Sequence, residues 1–149
     1  MVFDALHNEL AAVADLSLLT SPADLDRYSR DAYDYSPVLR EQLRQCRADL
    51  VVSAASVQAV QAVAAACHRH RVPLTLRGAG TGNYGQSVPL KGGVVLLMDA
   101  LREVRSIDPV SGVVTVECGC LMRDLDRALA FHGRQLRLFP STWRSATIG

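Results

Sequence analysis

The spacing of apolar and polar positions divides the chain near residue 49. Before that point, Leu6, Leu10 and Val13 recur at the interval of one helix face. Ser21-Pro22-Ala23-Asp24 has the form of a second helix start, with Pro in the first helical position. Residues 1–47 are therefore expected as an N-terminal helical arm, polar on its outer side. Tyr28, Tyr33 and Tyr35 form a small aromatic group within it, read as packing.

From Leu50 the pattern changes. Leu50-Val51-Val52 is a short apolar run and predicts a strand. Ser56 can cap a helix whose apolar positions are Val57, Val60, Val63, Ala64 and Cys67. Its basic end, His68-Arg69-His70-Arg71, suits a helix C-terminus, and Pro73 closes it. Leu74 to Arg77 is a second strand, so strand, helix and strand form a βαβ unit with the two strands parallel. Six glycines between Gly78 and Gly93 forbid a helix or a long strand there. Val94 to Met98 reads as a buried strand. Glu103 to Ile107 and Val113 to Cys118 form a hairpin about Asp108-Pro109-Val110-Ser111-Gly112. Leu121, Leu125, Ala128 and Leu129 mark a last helix that stops at Gly133.

Composition narrows the function classes. With 16 basic against 15 acidic residues, the net charge of +1 offers no broad field for nucleic acid or an anionic membrane. Only Lys91 among the basic residues is not Arg, a composition bias to which no function attaches. No run approaches the ~20 apolar residues of a membrane span. The four cysteines do not make a disulfide framework, and the first residues lack a basic leader region. A reducing cytoplasm is the simplest compartment.

The chemistry concentrates in Arg77-Gly78-Ala79-Gly80-Thr81-Gly82-Asn83-Tyr84-Gly85-Gln86-Ser87, directly after a strand. Alternate glycines let amides approach a ligand with no Cβ between, and successive amides can form an anion-binding concavity. A phosphate or diphosphate is the natural guest. Two other phosphate motifs fail here. Gly80 to Ser87 is one residue from a P-loop, but Gln86 stands where the Lys belongs, and Val88-Pro89-Leu90-Lys91-Gly92-Gly93 cannot open a helix. A Rossmann fingerprint fails on spacing and for the same want of a helix. The amides themselves must hold the anion.

Pro73 to Gly82 resembles the FAD diphosphate loop of the vanillyl-alcohol-oxidase-type flavoproteins, which carry a PCMH-type FAD-binding domain. The branch resembled is that of the glycolate oxidase subunit and D-lactate dehydrogenase. The likeness runs from about Asp49 to Gly149. Its further landmarks are Val94 to Asp99 with Leu101, Ile107-Asp108, Val116-Glu117-Cys118-Gly119, the helix Leu125 to Gly133, and Ala146-Thr147-Ile148-Gly149. The resemblance implies an FAD-binding domain over residues 48–149, incomplete at the C-terminus. It implies an α+β fold: a small parallel β/α subdomain and a mixed or antiparallel sheet, with FAD between them.

By the same resemblance, Gly78, Ala79, Gly80, Thr81 and Gly82 contact the diphosphate. Asn83, Tyr84 and Gln86 lie beside the flavin or ribityl chain, Pro140 and Ser141 form a turn near the cofactor, and Gly119 permits close approach. Thr147, Ile148 and Gly149 pass along the cofactor. Covalent members carry a His about where Thr81 stands, so FAD here is expected to be noncovalent. The chain departs from the family at Ser53-Ala54-Ala55, where Pro is frequent. The activity implied is oxidation of a small 2-hydroxy acid or similar alcohol by hydride transfer to FAD. Substrate contacts and the base are expected beyond residue 149, in a C-terminal substrate domain or a partner subunit, and no catalytic residue is assigned. Two alternatives stay open: a nonenzymatic flavin-binding fragment or subunit, and an NADPH-using flavin reductase on the same fold.

Other residues read more simply. Cys118 and Cys120 lack a second pair at metal-site spacing and are expected to pack. His68 and His70 belong to a solvated helix end, and Arg144 to the surface.

Overall fold

The computed structural model describes residues 2–33 and 36–149; Tyr35, expected in the aromatic group, lies outside them. Its elements, in chain order, are α1 (Val2–Ala11), β1 (Leu16–Leu19), α2 (Pro22–Tyr28), α3 (Pro37–Leu43), β2 (Leu50–Ala54), α4 (Val57–His70), β3 (Leu74–Arg77), β4 (Val94–Leu97), β5 (Val104–Ile107), β6 (Val114–Val116) and α5 (Met122–Ala130).

Four strands make one sheet in the order β1-β2-β4-β3. β2 and β3 both run parallel to β4, so the expected parallel relation holds, with β4 inserted between them. The helix α4 is the crossover. Ser56 caps it by accepting from the Ala59 amide, and Arg71 ends it in the left-handed region at φ 54°. β4 is central and buried at every position, which explains its unbroken apolar run.

Strand alternation sorts the sheet's two faces. Leu50, Val52 and Ala54 of β2 with Val94 and Leu96 of β4 pack against Leu6 and Leu10 of α1 and Ala59, Val63, Ala66 and Cys67 of α4. On the other face Val51, Val95 and Leu97 meet Ala48, Leu19, Leu25 and Tyr28. Burial pushes the Cys67 thiol up to about 11.

The arm is not purely helical, contrary to expectation. β1 pairs antiparallel with β2, Leu16 opposite Ala54 through Leu19 opposite Val51. Leu16-Ser17-Leu18-Leu19 is too short for its period to separate helix from strand. Sheet pairing decides, after a turn at Asp15 with φ 57°. At the end of α4, His70 Nε2 lies 2.8 Å and Arg69 3.2 Å from the Glu9 carboxylate, joining that helix to α1.

β5 and β6 form a separate antiparallel pair with an irregularity between Val104 and Ser106. Their inner side chains Val104, Ile107, Val114 and Val116 pack with Cys120, Leu125, Leu129 and Leu136. This is the expected hairpin and last helix. Glu117 fastens it: one carboxylate oxygen accepts from the Glu103 amide at 2.9 Å, the other from Arg105 at 2.7 Å.

Candidate functional site

The glycine segment leaves the carboxyl end of β3, where open α/β sheets place their ligand sites. Side chains far away in sequence tether it. Thr147 Oγ1 accepts from the Ala79 amide at 3.1 Å and donates to the Gly149 carbonyl at 2.8 Å. Asp31 accepts from the Gly85 amide at 2.7 Å and from Ser87 Oγ at 3.0 Å. The Ala32 amide donates to the Gly80 carbonyl at 2.9 Å. Asp49 accepts from the Gly93 amide at 2.7 Å at the loop's far end.

Geometry requires glycine at several positions around the loop. Gly80 sits at φ +64°, and a Cβ there would run into the Arg77 guanidinium. A Cβ on Gly78 would collide with Thr147 Oγ1 and the Gly149 carbonyl, so the loop and the chain's last residues touch through backbone. Those last residues are pinned in turn. Ile148 donates to the Cys120 carbonyl at 3.0 Å, and Gly149 to that of Cys118 at 2.8 Å. A Cβ on Gly119 would strike the Met98 and Leu101 carbonyls.

Gly78, Ala79, Gly119 and Thr147 thus come together from three segments. They line a cleft of about 200 Å³ with Arg27, Tyr28, Arg77, Leu97, Asp99, Arg102 and Leu121. That lining holds three arginines and one aspartate, an excess of positive charge that suits an anion. Arg77 is only 7% exposed. Its side chain donates to Ser87 Oγ at 3.1 Å and lies 5.9 Å from the centre of the Tyr28 ring. Burial lowers its pKa, and the negative charge of Asp31 opposes that most strongly. Arg102 donates to the Asp99 carbonyl.

Other expected residues lie elsewhere. Asn83 and Gly85 line a separate cleft of about 410 Å³ against α2, α3 and the segment that joins them. Gln86 folds back on its own loop, where its side-chain oxygen accepts from the Tyr84 amide at 3.2 Å, and Tyr84 is exposed. Pro140 and Ser141 are exposed, and neither lines either cleft. Ile148 is partly exposed beside Thr147. Arg144 lies 4.8 Å from the centre of the Trp143 ring. Among the described residues no cluster of His, Cys, Asp or Glu could hold a metal ion.

Sequence reading missed Arg27, Tyr28, Asp31, Asp49, Asp99 and Arg102. Their places follow from the tertiary fold, and no local motif marks them. Arg77 stood inside the recognised segment without a role.

The donor set fits an FAD diphosphate. Among the described residues, the amides of Gly80, Thr81, Gly82 and Asn83 donate to no protein group. Unbonded consecutive amides beside buried positive charge match a dianionic ligand.

Among curated proteins, the chain is 38% identical over 100 residues to the glycolate oxidase subunit GlcD of Escherichia coli, covering 67% of this chain and 20% of that protein. It is 30% identical over 118 residues to the GlcD subunit of Bacillus subtilis, covering 79% of this chain and 24% of that one. It is 25% identical over 149 residues to a putative mitochondrial D-lactate dehydrogenase of Schizosaccharomyces pombe, covering 99% and 27%. The chain therefore spans about a fifth to a quarter of the length of these relatives.

Among solved structures, alkyldihydroxyacetonephosphate synthase superposes with a TM-score of 0.80 at 20% identity, covering 98% of this chain and 30% of the other. p-Cresol methylhydroxylase with substrate bound gives 0.78 at 18% identity, covering 98% and 28%. These likenesses establish the PCMH-type α+β fold. A family described as FAD binding domain matches residues 48–149. On that match, with the loop and its relatives, the chain belongs to the FAD-binding domain family, and FAD is its cofactor.

Proposed function

We propose that this chain is the FAD-holding part of an oxidoreductase that oxidises a small 2-hydroxy acid or similar alcohol by hydride transfer to noncovalent FAD. The observation that carries the reading is the run of unbonded amides from Gly80 to Asn83, which follows directly on Gly78 and Ala79 in the wall of the cleft lined by Arg27, Arg77 and Arg102. Those amides and the Thr81 hydroxyl receive the diphosphate. Gly78, Ala79, Gly119, Thr147, Ile148 and Gly149 form the wall along which the cofactor lies. The names of the relatives, glycolate oxidase subunit and D-lactate dehydrogenase, support a 2-hydroxy acid as the substrate class.

Bound FAD supplies the hydride acceptor; this chain's residues bind and orient it. A Thr at position 81 cannot form a histidyl link to the flavin, which supports dissociable cofactor. No base is assigned within the chain. Substrate contacts belong to a substrate domain or partner subunit outside these residues. No helix among the described residues is long and apolar enough to cross a membrane. A cytoplasmic location is part of the proposal, supported by four cysteines that stay free.

The test is anaerobic reduction of the full-length protein. Glycolate or D-lactate should bleach the flavin absorbance and drive reduction of an artificial electron-accepting dye. Flavin that remains oxidised with every small 2-hydroxy acid tried, yet is reduced by NADPH, would contradict it.

A further inference from the structure

We propose that Asp31 is a positioning residue of the FAD site, acting from the N-terminal arm on the diphosphate loop. The inference rests on the FAD reading above. A segment with four glycines in eight positions has much conformational freedom to lose. Its amides serve a diphosphate with higher affinity when something outside the loop sets them beforehand. Within the loop the braces are local: Gln86 accepts from the Tyr84 amide, and the Gly85 carbonyl from the Val88 amide.

Asp31 provides the external brace. One oxygen takes the Gly85 amide at 2.7 Å, the other the Ser87 hydroxyl at 3.0 Å, across 54 and 56 positions of sequence. The adjacent Ala32 amide takes the Gly80 carbonyl at 2.9 Å. Two successive residues of the arm therefore grip both ends of the segment Gly80 to Ser87, and the unbonded amides of Thr81, Gly82 and Asn83 lie between the grips.

The circuit closes through Arg77. Ser87 accepts from Arg77 while donating to Asp31, and the Arg77 guanidinium packs where a Gly80 side chain would stand. Asp31 thereby also supplies negative charge near a buried cation at the cleft. Asp31 does not line the cleft that gathers Arg27, Arg77 and Arg102, and its hydrogen bonds and charge reach the site through Gly85, Ser87 and Arg77. An unbraced loop would have to order itself on each binding event, at the expense of affinity.

The experiment uses the full-length protein as wild type, Asp31→Ala, Asp31→Asn and Ser87→Ala. Each apoprotein is titrated with FAD by flavin fluorescence, and hydrogen exchange is measured without FAD. Loss of a charged hydrogen-bond partner predicts roughly ten- to a hundredfold weaker FAD binding by Asp31→Ala. Exchange should speed up over residues 78–88 and stay unchanged in β2 and β4. Asp31→Asn keeps an acceptor for the Gly85 amide and should recover part of the affinity. Ser87→Ala should weaken binding less than Asp31→Ala, and the two should be non-additive in combination.

Unchanged FAD affinity in Asp31→Ala, with or without faster loop exchange, would overturn the proposal. So would faster exchange spread through β2 and β4 in Asp31→Ala together with unchanged affinity in Ser87→Ala, since Asp31 would then serve only the fold. A wild-type protein that takes up no FAD would sink the FAD reading itself, and the positioning role with it.

Discussion

At residue scale the glycine loop works by close approach. Gly80 takes a left-handed conformation that costs a β-branched residue about 1–3 kcal/mol, and its missing side chain leaves the space that Arg77 fills. Gly80→Val should therefore move both the loop and the guanidinium. FAD affinity, measured by fluorescence titration of the full-length protein, should fall by roughly tenfold or more. Cys120→Ala is the control: Cys120 is buried with Leu125 and Leu129 under the β5–β6 hairpin, and its loss should change affinity little. Equal affinity for wild type and Gly80→Val would place the diphosphate elsewhere. The loop was legible in the sequence because alternate glycines after a strand have a direct steric meaning. Asp31 was not, because a carboxylate in a polar arm shows no sign of a partner 54 residues away. The bond from the Tyr84 amide to the Gln86 side chain was not legible either, because nothing local marks it.

At the scale of elements, the parallel strands and α4 were legible because their signals are local: a continuous apolar run, a Ser cap, a basic last turn. β1 was hidden, since four residues between helices carry too little periodicity and only pairing with β2 makes them a strand. The β5–β6 hairpin was legible from its turn, and its latch was not. The Arg105 hydrogen bond is the main cause that holds the Glu117 carboxyl below its ordinary value of 4.5. A carboxylate depressed in the fold contributes stability above its unfolded pKa. That contribution is lost as pH falls through the folded value. Arg105→Gln should raise the Glu117 pKa toward 4.5 in a carboxyl titration followed by NMR. The mutant hairpin should then lose less stability on acidification below that pH than the wild-type hairpin does. An unmoved Glu117 titration would show that the Glu103 amide alone sets it.

At the scale of the molecule, three segments meet at one cleft: the loop after β3, the turn after β6 that holds Gly119, and the last four residues. The arm contributes α1 to one sheet face, β1 to the sheet edge and Asp31 to the loop. The family was legible from the order and spacing of short landmarks, each of them weak alone. The cleft's charge was not legible, because Arg27, Arg77 and Arg102 belong to three different segments and only the fold gathers them. On the proposed reading, this arrangement holds FAD without a covalent bond. The most direct measurement is the absorption spectrum of the purified full-length protein, before and after acid precipitation. The protein should be yellow, with flavin bands, and its FAD should be recovered wholly in the supernatant. A colourless protein that takes up no FAD on reconstitution, or flavin that remains with the precipitate, would contradict it.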